Sequence, residues 1–176
     1  AKYKIECEKI LLDADAGKAD YVFVRPATLC GYAKRLRLDL SVNLLAINAL
    51  INKKIRIFGG NQTRPALNIN DMVRFYELML EAPRETIHRH AFNVSCQNIT
   101  IMQIAQLVKK VIGDNFIEFE VTPTTDSRSY HVNTDKMKKV LGFKCRFSIE
   151  DGIRSIIQAY QNGMISDGIN NPLYYN

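Results

Sequence analysis

The sequence predicts an α/β fold, and three observations support this prediction. Short runs rich in β-branched and aromatic residues, such as 21–25 and 91–95, have the length and composition of buried strands. Longer stretches whose apolar residues recur every three or four positions lie between such runs and are typical of amphipathic helices. A helical stretch, 2–16, precedes the first strand, and alternation of helix and strand favours a sheet with parallel strands.

The first part of the chain predicts a helix, a strand, a loop and a second helix. Residues 2–16 form a helix that Gly17 ends, and 21–25 form a strand that Pro26 closes. Residues 26–38 contain Gly31 and a basic cluster and are interpreted as a functional loop. Asp39 is expected to cap the next helix, 40–52, whose apolar face would comprise Leu40, Leu44, Ile47 and Ile51.

The remaining elements are bounded by local turn and capping signals. A short strand, 55–58, runs into a glycine turn, and Asn70 or Asp71 is expected to open a helix that stops before Pro83. Capping boxes begin two amphipathic helices. The further expected elements are a strand at 91–95, a helix from Thr100–Gln103, a strand at 116–121, a helix at 134–141 ended by Gly142, and a helix from Ser148–Asp151 to about Gly163.

Composition and charge exclude several classes of protein. With 47% hydrophobic and 24% charged residues, the 176-residue chain has the composition of a folded domain or of part of a larger one. No apolar run approaches the length of a membrane span, and no secretory leader is evident. The net charge of +6 is dispersed, which argues against nucleic-acid binding, although a basic nucleic-acid-binding domain stays open as an alternative.

The cysteines and histidines do not suggest a metal site. The four cysteines are widely scattered without a CxxC pair, a pattern that favours reduced thiols in a cytoplasmic protein over a disulfide framework or zinc site. His88 and His90 have no third ligand nearby in the sequence and are interpreted as surface residues. No metal is therefore expected.

Five stretches that follow one another along the chain carry a family resemblance. They are Lys4–Leu12, Val22–Gly31, Asp39–Leu45, Ile55–Asp71 and Thr125–Phe143. Together they resemble the NAD-dependent epimerase/dehydratase family, the extended short-chain dehydrogenases that modify nucleotide-diphosphate sugars. The resemblance implies the C-terminal part of a Rossmann-type doubly wound domain plus a small α/β substrate-binding domain. Residues 1–30 would be the last helix and strand region of the dinucleotide-binding domain, and 31–176 mainly the substrate domain, with some elements packing back on the Rossmann part.

The first two stretches imply a catalytic and cofactor-binding region. Lys4 takes the place of the lysine in the family's Tyr-x-x-x-Lys pair, which puts the tyrosine one position before Ala1 and implies that Lys4 also holds the nicotinamide ribose. Tyr3 does not fit that role, because the lysine would then fall on Cys7. In such a pair the ammonium group lowers the pKa of the phenol, and both side chains lie on one helix face. The second stretch resembles the family's RPxxxYG element and implies NAD (or NADP) contacts from Arg25, Pro26, Ala27 and Thr28.

The remaining stretches imply a substrate site. Asn43 corresponds to a helix-start asparagine that contacts the nucleotide diphosphate, and Arg64 to the family's diphosphate-binding arginine. Arg128 would be a second diphosphate clamp. Asn68 stands where the family commonly has histidine, and Cys30 where it commonly has tyrosine. Asp71 is interpreted as an N-cap or as the acidic residue that begins the next helix.

No GxGxxG or GxxGxxG loop occurs in the chain, which also begins within a helix without a capping residue. The expectation is a C-terminal part of a nucleotide-sugar epimerase or dehydratase that is inactive alone and forms a homodimer when intact. A stand-alone nucleotide-sugar-binding module without catalysis is the open alternative. The sequence does not distinguish epimerase, dehydratase and reductase, nor does it identify the nucleotide or the sugar.

Overall fold

The computed structural model describes residues 2–14, 20–125 and 128–175. The helices in these ranges are α1 (Lys2–Asp13), α2 (Ser41–Asn52), α3 (Ile69–Glu81), α4 (Arg84–Ile87), α5 (Ile101–Ile112), α6 (Asp135–Leu141) and α7 (Ile149–Gln161). The strands are β1 (Phe23–Pro26), β2 (Thr28–Cys30), β3 (Lys54–Phe58), β4 (Thr63–Asn68), β5 (Ala91–Val94), β6 (Gln97–Thr100) and β7 (Glu118–Thr122). Two 3-10 turns follow, Gly168–Asn170 and Pro172–Tyr174.

The strands form three small sheets with mostly parallel pairing. β1 pairs in parallel with β5, and β3 pairs in parallel with β7. The third sheet has the order β2-β4-β6, in which β2 and β4 are parallel and β4 and β6 are antiparallel. The predicted α/β class with parallel strands is confirmed.

The buried side chains form two separate clusters. One is centred on α2, α5, α7 and β3, and its fully buried members include Ala46, Ile47, Ile55, Ile104, Val108, Ile153 and Ile156. The other lies under the β1–β5 pair and is covered by α3 and α6, with Leu67, Met72, Phe75, Phe92, Val94 and Met137 at its centre. Elements that are distant in sequence, α3, β5 and α6, therefore share a core with β1.

Helix α2 differs from its prediction at its start and in its burial. Asp39 is not the cap: the N-cap is Leu40, which makes no side-chain cap bond, while Asp39 forms an ion pair with Arg37. Its apolar surface is also wider than the predicted single face, because Leu45, Ala46 and Ala49 are buried as well as Ile47. A helix surrounded by α5, α7 and β3 buries more than one stripe.

The capping boxes are confirmed, whereas several short strands escaped prediction. Thr100 and Gln103 cap α5 reciprocally, and Ser148 and Asp151 cap α7 in the same way. Gly142 ends α6 in the left-handed conformation, with φ of 61°. The strand β2 lies within the predicted 26–38 loop, and the sequence indicated no strand at β4 or β6, because strands of three to six residues with distant partners leave little periodic signal.

Helix α3 begins earlier than predicted, and Asp71 does not cap it. The N-cap is Asn68, whose Oδ1 accepts from the backbone N–H of Asn70 at 3.0 Å. Asp71 lies in the first turn and is completely buried. Its carboxylate accepts from the backbone N–H groups of Arg146 and Phe147 at 3.0 Å. Asp71 thus joins α3 to the segment that precedes α7.

The cysteine prediction was wrong for two of the four residues. Cys96 and Cys145 form a disulfide, with Cα atoms 5.9 Å apart, although 49 positions separate them in the sequence. The bond was missed because sequence spacing does not show which cysteines the fold brings together. Cys7 and Cys30 remain free thiols.

Helix α1 lies on the outside of the described structure and buries none of its residues. It is attached by the Tyr21 hydroxyl, which donates to the carbonyl of Leu11 at 3.1 Å, and by Arg89, which donates to the carbonyl of Leu12. The predicted boundary residues Ala1 and Gly17 lie outside the described residues. Among the described helices, none is both long and apolar enough to cross a membrane.

Candidate functional site

Four of the five residues predicted to bind the cofactor line one cleft of about 450 Å³. We call it the arginine cleft, since two guanidinium groups border it. Arg25 and Pro26 end β1, Ala27 follows, and Thr28 begins β2. Its lining is Arg25, Pro26, Ala27, Thr28, Leu29, Arg37, Leu40, Pro65, Asn93, Tyr130 and Val132. The chain thus brings residues from five separate stretches to the end of β1.

A second cleft of about 480 Å³ contains Lys4 and lies beside the first. We call it the lysine cleft. Lys4 and Glu8 border it from α1, and Arg25 and Pro26 border it from β1. Because Arg25 and Pro26 line both clefts, the predicted catalytic lysine and the predicted cofactor loop meet at one end of β1. Lys4 itself is exposed.

An ion pair fixes α1 against this end of β1. The Arg25 Nε donates to Glu8 Oε1 at 2.9 Å, and a second guanidinium nitrogen donates to the other carboxylate oxygen. The hydrogen bond from Arg25 is the main reason why the pKa of Glu8 lies below its ordinary value. The same bond raises the pKa of Arg25. Glu8, the acidic residue one turn after Lys4, therefore positions the helix that carries Lys4.

Asn43 is buried and supports the loop of the arginine cleft. It is 3% exposed, its Oδ1 accepts from the backbone N–H of Gly31 at 3.1 Å, and its Nδ2 donates to the carbonyl of Arg37 at 3.0 Å. Both polar ends of the side chain are therefore used within the protein. The structure shows Asn43 as a support for the loop, and direct contact with a ligand stays a prediction.

The loop that Asn43 supports also fixes the position of Arg37. Its neighbours Leu36 and Leu38 are fully buried, and the Leu38 N–H donates to the carbonyl of Tyr174 at 2.7 Å. Arg37 lies between these two buried residues and borders the cleft, with its Nε donating to Asp39 at 3.0 Å. This hydrogen bond is the main cause of the lowered pKa of Asp39.

Arg64 and Arg128, the predicted diphosphate-binding residues, are brought together across 64 positions of sequence. A guanidinium nitrogen of Arg64 donates to the backbone carbonyl of Arg128 and, at 3.0 Å, to that of Thr63. The Arg64 guanidinium also lies over the ring of Tyr130, 5.2 Å from its centroid. Arg128 is exposed. The Arg64 cation is thus placed next to Tyr130, which lines the arginine cleft, and it also contacts the backbone of Arg128.

The segment 128–133, which we call the strap, crosses β4 and β6 and forms one wall of the arginine cleft. Thr63 donates its N–H to the Ser129 hydroxyl at 3.0 Å and accepts from the Tyr130 N–H at 3.4 Å. The Asn98 side chain bonds both backbone groups of Val132, and Asn93 donates to the carbonyl of Asn133 at 3.3 Å. The strap is thereby attached to β4, β5 and β6.

Cys30 has a structural environment. It is 1% exposed, and burial raises the pKa of its thiol to about 12. A Cβ placed on Gly152 would come within 3.0 Å of its sulfur, so Cys30 packs directly against the start of α7. A thiol with this pKa is protonated at neutral pH, which argues against a nucleophilic role.

One group of potential metal ligands is present in the described part of the chain. Asp71, Cys96 and Cys145 place their ligand atoms within 4.8 Å of one another. The two sulfur atoms are bonded to each other, and the Asp71 carboxylate already accepts hydrogen bonds from backbone N–H groups. In the disulfide state this group does not offer thiolate ligands.

Sequence reasoning missed three residues of the arginine cleft: Arg37, Asn93 and Tyr130. The sequence indicated Arg37 only as a member of the basic cluster in the 26–38 loop. The alternation of Arg and Leu over 35–38 was the available signal, because buried leucines on both sides force the arginine outward. Asn93 and Tyr130 carried no local signal, since their role depends on where the strap crosses the sheet.

Comparison with known proteins identifies the family. The model of the NAD dependent epimerase/dehydratase family matches residues 1–95, more than half of the chain. The dTDP-glucose 4,6-dehydratases of Shigella flexneri and Escherichia coli are each 27% identical over 127 residues, which cover 68% of this chain but 35% of the relative. The chain thus spans about a third of the length of these curated relatives.

Solved structures share the fold. The dTDP-glucose 4,6-dehydratase of Bacillus anthracis, solved with NAD, aligns with a TM-score of 0.73 at 16% identity, over 91% of this chain and 50% of that one. The UDP-glucuronic acid 4-epimerase of Bacillus cereus, solved with UDP-glucuronic acid and NAD, gives 0.67 at 24% identity, over 79% of this chain and 46% of that one. The described architecture is therefore part of a Rossmann-type α/β fold. With the match over 1–95, the chain belongs to the NAD-dependent epimerase/dehydratase family.

Proposed function

We propose that this chain is the C-terminal part of a nucleotide-diphosphate-sugar epimerase or dehydratase that works by transient NAD(P)-dependent oxidation of the sugar. The observation that carries the proposal is the contact of the Arg64 guanidinium with the backbone of Arg128 and with the ring of Tyr130, which lines the same cleft as the 25–28 loop. Positive charge next to a partly apolar cleft suits a ligand that has a diphosphate at one end and a sugar at the other.

Arg64 and Arg128 bind the diphosphate in this proposal. A guanidinium group presents several N–H donors in one plane and can bond two phosphate oxygens at once. In the described structure one Arg64 nitrogen is used by the carbonyls of Arg128 and Thr63. Tyr130 holds the plane of the Arg64 guanidinium from one side. Asn43 contributes to the substrate site through the loop that it supports, in addition to the direct contact predicted from the sequence.

Lys4 and the 25–28 loop hold the nicotinamide end of NAD in this proposal. The residues fit such a group, because Lys4 is exposed and borders the lysine cleft next to Arg25 and Pro26, where its ammonium could donate to the hydroxyls of a ribose. Bound NAD supplies the hydride acceptor for the sugar carbon. Lys4 orients the cofactor and lowers the pKa of the catalytic tyrosine, which the family resemblance places directly before Ala1.

We propose that residues 1–30 belong to the dinucleotide-binding domain and residues 31–176 mainly to the substrate domain of the intact enzyme, with α3, β5 and α6 packing back on β1. We propose that the isolated chain lacks turnover and that the intact enzyme is a homodimer. Exposed apolar residues on α1, namely Tyr3, Ile5, Ile10 and Leu11, support a contact of that helix with another surface. We also propose a cytoplasmic location. The cysteines give this location less support than the sequence indicated, because two of the four form a disulfide.

Phosphorus NMR of UDP-glucose and dTDP-glucose tests the proposed substrate class. The diphosphate resonances should shift and broaden on addition of the chain, since two guanidinium groups bind them. The R64K and R128K variants should reduce the shift, because lysine keeps the charge but not the planar pair of donors. Unshifted resonances with both nucleotide sugars would refute the proposal for these ligands.

A further inference from the structure

The strap has few strong backbone contacts of its own. Among the described residues its backbone-to-backbone hydrogen bond runs from the Tyr130 N–H to the Thr63 carbonyl at 3.4 Å, which is longer than the usual range for such a bond. Residues 128–133 are assigned to neither helix nor strand. A segment that carries Arg128 and Tyr130 therefore depends on side chains to stay in place.

The Asn98 side chain supplies the most complete of these attachments. Its Oδ1 accepts from the Val132 N–H at 2.9 Å, and its Nδ2 donates to the Val132 carbonyl at 3.2 Å. One side-chain amide thus satisfies both backbone groups of one residue, as a partner in a β-ladder would. Asn98 is itself held in β6, opposite Pro65 of β4.

The position of this contact connects it to the proposed site. Val132 and Tyr130 line the arginine cleft, and Tyr130 packs on the guanidinium of Arg64. We propose that Asn98 is a positioning residue of the diphosphate site, which holds the strap so that Arg128 and Tyr130 lie beside Arg64. Asn98 does not line the arginine cleft and acts through the strap alone. This inference rests on the proposed function.

Amide hydrogen exchange tests the structural part directly in the full chain. Asn98→Ala should speed exchange at the Val132 amide about tenfold or more, because one hydrogen bond of ordinary strength corresponds to about that factor. Asn98→Asp keeps the acceptor and loses the donor, so its effect should be smaller. Gln106→Ala is the matched control, since Gln106 is exposed in the neighbouring groove on α5. Unchanged exchange at Val132 in Asn98→Ala would refute the role of Asn98.

A double-mutant cycle with Arg128→Ala tests the functional part by titration with UDP-glucose and dTDP-glucose. Asn98→Ala should weaken binding at least threefold in the wild-type background and have a smaller effect when Arg128 is already alanine. An equal loss in both backgrounds would show a general structural defect and overturn the inference. If the wild-type chain binds neither nucleotide sugar, the proposed function fails, whereas exchange at Val132 still decides whether Asn98 holds the strap.

Discussion

Asp71 illustrates how one buried side chain organises its surroundings. Its carboxylate is completely buried and accepts from two backbone N–H groups, and Arg74 donates to it at 2.5 Å. These partners offset the cost of removing the charge from water. The sequence placed Asp71 at the start of α3 but indicated a helix cap, because the segment at Arg146 and Phe147 that it binds lies more than 70 positions away.

Replacing Asp71 by alanine should therefore lower the free energy of unfolding by about 3 kcal/mol, because two backbone N–H groups and the Arg74 guanidinium lose their acceptor. Chemical denaturation of the purified variant measures the change. Glu77, which is exposed on the same helix, provides the control, and Glu77→Ala should change the free energy by less than about 0.5 kcal/mol. Equal effects of the two substitutions would contradict the role assigned to Asp71.

At the scale of the elements, contacts between residues within one helical turn could be predicted from the sequence, whereas pairings between distant segments could not. The capping boxes of α5 and α7 were read correctly, because their partners lie three residues apart. The strands β4 and β6 and the strap were missed, since their partners are far along the chain. The same distinction applies to the site: Arg64 was predicted from a family motif, whereas its contact with Tyr130 depends on the fold.

The attachment of α1 is an element-scale feature that depends on pH. The folded-state pKa of Glu8 lies below its ordinary value, so its pairing with Arg25 stabilises the fold fully above the ordinary glutamate pKa. The stabilisation is lost as pH falls through the lowered pKa. At pH 7 the free energy of unfolding of the wild type should exceed that of Glu8→Gln by about 0.5 kcal/mol, a magnitude typical of an exposed pair. This difference should shrink towards zero as the pH falls through the lowered pKa of Glu8. Thermal unfolding of both proteins across this range measures the difference, and a gap that persists in acid would contradict the assignment.

At the scale of the whole molecule, the disulfide between Cys96 and Cys145 adds to the stabilisation that the two apolar cores provide. Cys96 follows β5 and Cys145 precedes α7, and both pack against the core under β1 and β5. Closing a loop of 49 residues restricts the unfolded chain and typically stabilises a protein by about 2–4 kcal/mol. The cross-link therefore stabilises the region that contains the start of α3 and the segment before α7.

A thiol titration under denaturing conditions tests this cross-link. Without reductant, two thiols should react, those of Cys7 and Cys30, and after reduction all four cysteines should react. Reduction should also lower the free energy of unfolding by about 2–4 kcal/mol. The exposed Cys7 offers a control, since Cys7→Ser should leave the stability unchanged. Four reactive thiols before reduction would show that the pair is not formed.

Calorimetric titration of the chain with UDP-glucose, UDP and uridine, in parallel with dTDP-glucose, most directly tests the claim that Arg64 and Arg128 form a diphosphate site. The account predicts saturable binding of a nucleotide sugar and its diphosphate, and much weaker binding of the nucleoside. In R64K that binding should weaken about tenfold or more through loss of the paired donors, with the affinity for uridine unchanged. Equal affinities for UDP and uridine, or equal binding of UDP by R64K and the wild type, would contradict the assignment of a diphosphate site to Arg64 and Arg128.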